Sequence, residues 1–383
     1  MILNMIKKNA GIYVHIPFCV KKCKYCDFLS GVGNENVFRE YTDAVTREIE
    51  SYCETAKNYK ISTIYFGGGT PTVLPILYIE KIVAAINEIF DTGAVTEFTV
   101  EGNPGTITFD RVLGLRSLGV NRMSIGIQSA IERELQLLGR IHTFKDSEEC
   151  VKNIYDAGIM NVSVDVMFSL PKQTEEDCFY TIDKIVSLNP KHISAYSLMV
   201  EEGTEFYKLY SEKGPLYKDL PDEITDRKMY RGISERLKKA GFMRYEISNF
   251  ARPGYESRHN SSYWTGTEYI GLGAGAASLI NNVRYSNVRD VKKYIEDPVN
   301  HITEEILTKK SLMSEYMILG LRMTRGISIS GFKEKFGVTI DDVFGAEINK
   351  SVSEKTLVRE GDMLSLTDYG IDVSNVIFER FYI

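Results

Sequence analysis

Apolar positions follow two alternating rhythms along the chain. Short runs rich in β-branched and aromatic residues, "GIYVHIPF" from Gly11, "ISTIYF" from Ile61, "VTEFTVE" from Val95, "NRMSIGIQS" from Asn121, "NVSVDVMFSL" from Asn161 and "HISAYSLMV" from His192, predict strands. Between them, apolar residues recur at i, i+3 or i+4, and i+7, which predicts helices over 38–52, 76–90, 111–118, 147–157 and 175–188. Gly119, Gly158 and the Asn189-Pro190 pair stand where such helices should stop. Strands alternating with helices imply an α/β fold whose parallel sheet is linked by right-handed crossovers. About six units fit a (β/α)6 partial barrel better than two dinucleotide-binding halves, whose GxGxxG pattern is missing.

The rhythm changes after Met199. A polar, tyrosine-rich stretch, "EEGTEFYKLYSEKGPLYKDLPDE", is followed by a helical pattern over 224–240 and then by "YEISNFARPGYESRHNSSYWTG", an extension expected to cover one end of the barrel. From about Thr303 the helical "SEYMILGLRMTRG" leads to an ending that alternates like a short hairpin and closes with a helix. That ending predicts a small winged-helix-like appendage with turns at Gly326, Gly337, Gly361 and Gly370. The expected division is a barrel over 1–220, an extension over 221–300 and a C-terminal domain over 301–383.

Composition narrows the function. The 383 residues include 46 Lys+Arg and 52 Asp+Glu, a net charge of −6, and 43% are hydrophobic, enough for a sizeable core. This acidic balance lacks the basic footprint of a protein that grips phosphates, so nucleic acid is not an expected partner, and it favours a lid or docking role for the appendage. No run approaches the roughly 18 apolar residues that span a bilayer, and the start of the chain is too short for a secretory signal, so a cytoplasmic protein is expected. In a reducing compartment the six cysteines should not form disulfides. Cys53, Cys150 and Cys178 are scattered and read as packing residues, whereas Cys19, Cys23 and Cys26 fall on one loop directly after the first strand and read as metal or redox ligands.

Three thiolates spaced Cys-x3-Cys-x2-Cys leave one position unfilled. A 4Fe-4S cluster held this way keeps one iron free for a small molecule; a structural zinc wants a fourth ligand, which His15 could supply. The residues of the loop alone leave both open.

With this motif the chain resembles the radical S-adenosylmethionine superfamily, which places Cys-x3-Cys-x2-Cys after the first strand of a (β/α)6 partial barrel. The resemblance implies a 4Fe-4S cluster on Cys19, Cys23 and Cys26, S-adenosylmethionine on its unique iron, an electron donor for the cluster, and cleavage to methionine and a 5′-deoxyadenosyl radical. "IYVHIPFC", "FGGGTPT", "EGNP", "SIGIQS", "LGRIH" and "DVMFSLPKQT" narrow it to the branch holding oxygen-independent coproporphyrinogen III oxidases and HemW-type heme chaperones, from Gly11 to about Phe381. By that resemblance Gly68, Gly69 and Thr70 meet the methionine amino group, Arg140 pairs with its carboxylate, and Glu101 and Gln128 contact ribose or methionine. Asp165 serves the ribose hydroxyls, while Tyr13 and the Tyr25 backbone touch the cofactor. Branch members commonly carry glycines where Ser169 and Lys172 stand, and a proline where Glu202 stands.

Two features separate the branch's members. The oxidases have a further cysteine two positions after the third and a long N-terminal extension; here Cys26 is followed by Asp27 and Phe28, and ten residues precede Gly11. The chaperones read "CDF", as this chain does, and carry His-Asn-x-x-Tyr-Trp, matched by His259, Asn260, Tyr263 and Trp264, the chain's single tryptophan. This implies a protein that binds heme, with His259 as candidate axial ligand and its neighbours covering the macrocycle or bonding its propionates, and that delivers heme to acceptor proteins. The alternative is oxidative decarboxylation of coproporphyrinogen III.

Overall fold

The computed structural model describes residues 7–383. Six strands, β1 (Lys8–Ile16), β2 (Tyr59–Gly68), β3 (Glu97–Gly102), β4 (Arg122–Gln128), β5 (Asn161–Phe168) and β6 (His192–Ser197), lie side by side in chain order and run parallel. Every residue of β4 is buried, as expected of a parallel strand covered on both faces. Crossovers are made by α1 (Glu35–Ser51), α2 (Ile76–Ile89), α3 (Phe109–Ser117), α5 (Phe144–Asp156) and α6 (Glu175–Ser187), with a short α4 (Glu132–Leu138) before α5. In α1, Asn34 caps the first turn and Phe38, Tyr41, Val45 and Ile49 face the sheet. Thr143 with Asp146 and Thr174 with Asp177 close reciprocal capping boxes that start α5 and α6. The α/β partial barrel is therefore as expected.

The barrel does not close on itself. Beyond β6, α7 (Glu205–Tyr210) and α8 (Glu223–Lys239) lead to β7 (Met243–Arg244) and β8 (Asn249–Ala251), and β8 pairs antiparallel with β6. After α9 (Arg258–Trp264), β9 (Glu268–Leu272) pairs with the opposite edge, β1, and an antiparallel run of β10 (Ala277–Ile280), β11 (Val283–Asn287) and β12 (His301–Ile306) extends it to twelve strands. Glu48 of α1 fastens this flank. Fully buried, it accepts from Gly273 N at 2.8 Å, Asn287 Nδ2 at 2.7 Å and the Tyr294 hydroxyl at 2.5 Å, Tyr294 lying in α10 (Val291–Glu296). Burial, only partly offset by these donors, raises its pKa to about 7.

The C-terminal part orders α11 (Lys309–Gly320), β13 (Ile327–Ser328), α12 (Ile329–Phe336), α13 (Ile340–Ser353), β14 (Leu357–Glu360) and β15 (Met363–Leu366), with sheet order β13-β15-β14, the winged-helix arrangement expected. It closes with α14 (Asp368–Asp372) and α15 (Ser374–Glu379).

Two expectations are corrected. Cys53 is exposed rather than packed, whereas Cys150 and Cys178 are buried. Gly370 lies inside α14 rather than at a turn; glycine is needed because a Cβ there would stand 1.9 Å from the Thr356 carbonyl oxygen. Ser169 and Lys172, where branch members carry glycine, adopt φ of +56° and +60°, left-handed backbone that side chains disfavour.

Candidate functional site: a cysteine loop over the barrel mouth

The cysteines ride on the loop between β1 and α1. Its two legs are tied together, Cys19 N donating to Gly31 O at 2.9 Å and Gly31 N to Pro17 O at 3.0 Å. Its middle is held by Lys24 N to Leu138 O at 3.1 Å and by Phe206 N of α7 to Lys24 O at 3.0 Å, with Tyr25 edge-on to Phe206. The tyrosine-rich stretch after β6 thus covers the loop, as expected of a segment capping the barrel. The glycines ending β2 seat the loop: Gly69 N donates to Ile16 O at 2.9 Å and Thr70 N to Phe18 O at 2.7 Å. A Cβ on Gly69 would stand 2.7 Å from Phe18 O, and one on Gly68, at φ +103°, 2.3 Å from the His15 ring. Close approach of the loop therefore explains these glycines before any ligand does.

Cys19, Cys23, Cys26, Tyr25, Gly68, Gly69, Thr70, Glu101, Gln128, Arg140 and Asp165 line one cavity of about 160 Å³; Tyr13 does not. An arc of hydrogen bonds runs from one thiol to another. Thr70 Oγ1 donates to Cys19 Sγ at 3.4 Å and receives Asn103 Nδ2 at 2.8 Å, while Arg140 donates Nη2 to Asn103 Oδ1 at 2.5 Å and Nη1 to Cys23 Sγ at 3.5 Å. Arg140 also donates to Gly126 O, and its buried Nε has no partner. Glu101 receives the Tyr65 hydroxyl at 2.6 Å and Gly68 N at 3.1 Å, yet burial raises its pKa to about 7; burial raises Asp165 as well. Gln128 follows a bulge in β4 at φ +72° and accepts from Tyr196 at 2.9 Å, a strained backbone that turns its amide into the cavity wall.

His15 is not placed as a zinc ligand. Its Nε2 donates to Leu29 O at 2.9 Å, so Nδ1 is left to accept the Tyr13 hydroxyl at 3.0 Å, and its one ring-nitrogen lone pair is taken. Among the described residues no three His, Cys, Asp or Glu side chains converge as ligands of a single ion do. Thiolates on one tetrahedral zinc sit roughly 3.8 Å apart, given zinc–sulfur bonds of about 2.3 Å. A four-iron cluster carries its thiolates on separate irons and spaces them more widely. Three cysteines facing one cavity without converging suit the cluster.

The His-Asn-x-x-Tyr-Trp motif forms α9, outside this cavity. Its N-terminus is capped by the buried Glu97, which receives Arg258 N at 2.9 Å, His259 N at 3.0 Å and Ser257 Oγ at 3.4 Å. At roughly 100° per residue, positions 259 and 263 share a face and 264 lies about 140° away. His259 and Tyr263 accordingly face inward: the imidazole, 1% exposed, bonds Thr63 Oγ1 at 2.8 Å through Nδ1 and the Tyr263 hydroxyl at 2.9 Å through Nε2, and stacks on Tyr65. Burial, with the fully buried Arg122 nearby, lowers its pKa to about 3. Both ring nitrogens of His259, the candidate axial ligand, are thus engaged by protein partners. Asn260 only closes the first turn through its amide, and Trp264 faces the other way, under the Arg322 guanidinium.

Residues 13–185 match the model of the radical SAM superfamily and residues 307–373 that of the HemN C-terminal domain. Over 98% of both chains this protein is 36% identical to a heme chaperone HemW of Lactococcus lactis, and over 96% of its own length and 98% of the relative's it is 36% identical to that of Bacillus subtilis. The chain belongs to the HemW family. The fold is also that of coproporphyrinogen III oxidase from Escherichia coli, with a TM-score of 0.86 over 98% of this chain and 90% of that one at 22% identity. Membership in the radical SAM superfamily implies a 4Fe-4S cluster and S-adenosylmethionine, and the cysteine-lined cavity, with its orphaned Arg140 Nε, fits them.

Two members of the HemW cavity were not singled out from sequence. Asn103 joins Arg140 to Thr70, and its signal was its place in "EGNP" just past the end of β3; Tyr196 positions Gln128, and it is the aromatic in the "SAYS" end of β6.

Proposed function

We propose that the protein is a heme chaperone that binds a 4Fe-4S cluster, S-adenosylmethionine and heme, and passes heme to heme-requiring proteins. The observation that carries this reading is the likeness to relatives named for that role across 98% of both chains. Cys19, Cys23 and Cys26 would hold the cluster, fed by an external electron donor. Arg140, pre-positioned by Asn103 and Gly126, is the partner for the methionine carboxylate. Because Gly68, Gly69 and Thr70 spend their amides within the protein, this turn meets an ammonium group through acceptors. Glu101, Asp165 and Gln128 supply acceptors for hydroxyl donors. When bound, the cluster and S-adenosylmethionine supply one-electron reductive cleavage of a carbon–sulfur bond; the protein's share is to hold both beneath the loop and away from water. Among the described residues no helix is long and apolar enough to cross a membrane, and six free cysteines suit the reducing cytoplasm.

Titration of anaerobically purified protein with heme tests the reading, with stoichiometric Soret change and transfer to an apo-hemoprotein expected. Conversion of coproporphyrinogen III to protoporphyrinogen by the reconstituted protein would replace this function with that of the oxidase.

A further inference from the structure

The two nitrogens of the His259 ring face different surroundings. On the Nδ1 side the ring is packed against β1 and β2. Thr63 Oγ1 stands 2.8 Å from Nδ1, Tyr65 stacks on the ring at 5.0 Å between centroids, and a Cβ added to Gly11 would lie 3.0 Å from Thr63 Oγ1 and 3.3 Å from the imidazole. That side is filled by protein. On the Nε2 side the partner is the Tyr263 hydroxyl at 2.9 Å, and Tyr263 lines a cavity of about 410 Å³, within the range of ligand sites. His259 itself does not line that cavity, whereas the residue that caps its Nε2 does.

Burial keeps the ring neutral, so one nitrogen carries a proton and the other a lone pair. Of the two hydroxyls the phenol is the stronger acid and the threonine the better acceptor. The favoured pairing therefore has Tyr263 donating to Nε2 and Nδ1 donating to Thr63, because the bond made at one ring nitrogen sets the role of the other.

Resting on the heme-chaperone reading, with His259 as candidate axial ligand, we propose that Tyr263 is a latch whose hydroxyl occupies the Nε2 lone pair until heme iron displaces it, and that Thr63 is the positioning residue that keeps this lone pair on Nε2. Iron arrives from the side of the cavity that Tyr263 lines. The exchange breaks one O–H···N hydrogen bond and forms one iron–nitrogen bond; the Nδ1 proton stays on the ring, shared with Thr63, and none is released.

Tyr263→Phe keeps the ring and removes the hydroxyl. Heme, followed at the Soret band by stopped flow, should bind this variant faster and about three- to tenfold more tightly, the worth of one hydrogen bond. Metal-free protoporphyrin IX, which offers no iron, should not respond to the substitution. Thr63→Val should weaken heme binding about tenfold and Thr63→Ser should restore it, with circular dichroism checking that the variants fold. One measurement needs no variant to work: long-range proton–nitrogen spectra of ligand-free, histidine-labelled protein should place the His259 proton on Nδ1, the signal being assigned by its loss in His259→Gln. A proton on Nε2, or heme binding untouched by Thr63→Val, overturns the role of Thr63. Heme binding that is unchanged or weaker in Tyr263→Phe, or an equal gain for both porphyrins, overturns the latch. Each of these leaves the chaperone function standing, whereas wild-type protein that binds no heme removes that function and the latch with it.

Discussion

Replacing Gly69 by alanine probes how the cysteine loop is built. The backbone there is compatible with any residue, because Gly69 is not among the positive-φ positions, so the effect is purely steric. The new Cβ would meet Phe18 O at 2.7 Å, Ile16 O at 2.8 Å and Phe18 N at 2.9 Å, all backbone atoms that cannot swing aside. Relief of the closest contact to ordinary contact near 3.4 Å requires a shift of roughly 0.7 Å, and overpacking of this kind costs about 1–3 kcal/mol. At roughly 1–1.5 °C per kcal/mol for a chain of this length the variant should melt about 1–4 °C lower. Because the displaced strand leads directly into Cys19, cluster content should fall as well. Gly31→Ala is the matched control: it lies on the same loop, but a Cβ there meets nothing within 4 Å. Thermal unfolding and iron and sulfide content after anaerobic reconstitution read the pair. Equal melting temperatures and equal cluster content in the two variants would refute the claim that the glycine turn is a seat for the loop.

Glu48→Gln isolates the pH dependence of the buried flank. With its pKa raised to about 7 from an ordinary carboxylate value of 4.5, Glu48 favours the folded state most when protonated, so wild-type stability should decline relative to the variant as pH rises from about 4.5 to 7. The relative slope should not exceed ~1.4 kcal/mol per pH unit, and denaturant melts across that interval measure it. Lys172→Gly relieves left-handed backbone at an exposed site and should leave stability unchanged or raise it by up to about 1 kcal/mol, checked by chemical denaturation. Glu97→Ala strands three donors at the start of α9 and should cost about 2–4 kcal/mol in the same assay, with a change in Trp264 emission. Arg140→Lys cannot reproduce a fork that reaches Asn103, Gly126 and Cys23 together; S-adenosylmethionine affinity of the reconstituted protein should drop at least tenfold by equilibrium dialysis.

The parallel barrel was legible because its strands are long, β-branched and separated by helices with a clear apolar period. The cysteine spacing named a cofactor class for the same reason: few chemistries place three thiols so close together. What escaped is structure held by distant partners. α9 is written in seven polar and aromatic residues with no apolar period, and it is helical because a carboxylate more than 150 positions upstream caps it. Its sequence shows that His259, Tyr263 and Trp264 matter together, yet only the helical turn reveals that they face opposite ways. Asn103 was equally hidden, since its task is to hold Arg140 and Thr70, which lie more than thirty residues to either side.

Tyr13, Tyr65, His259 and Tyr263 form a continuous run of aromatic rings linking β1 and β2 to α9. None of the four rings lines the cysteine cavity, so a substitution at His259 or Tyr263 reaches it only through Tyr65 and its hydrogen bond to Glu101.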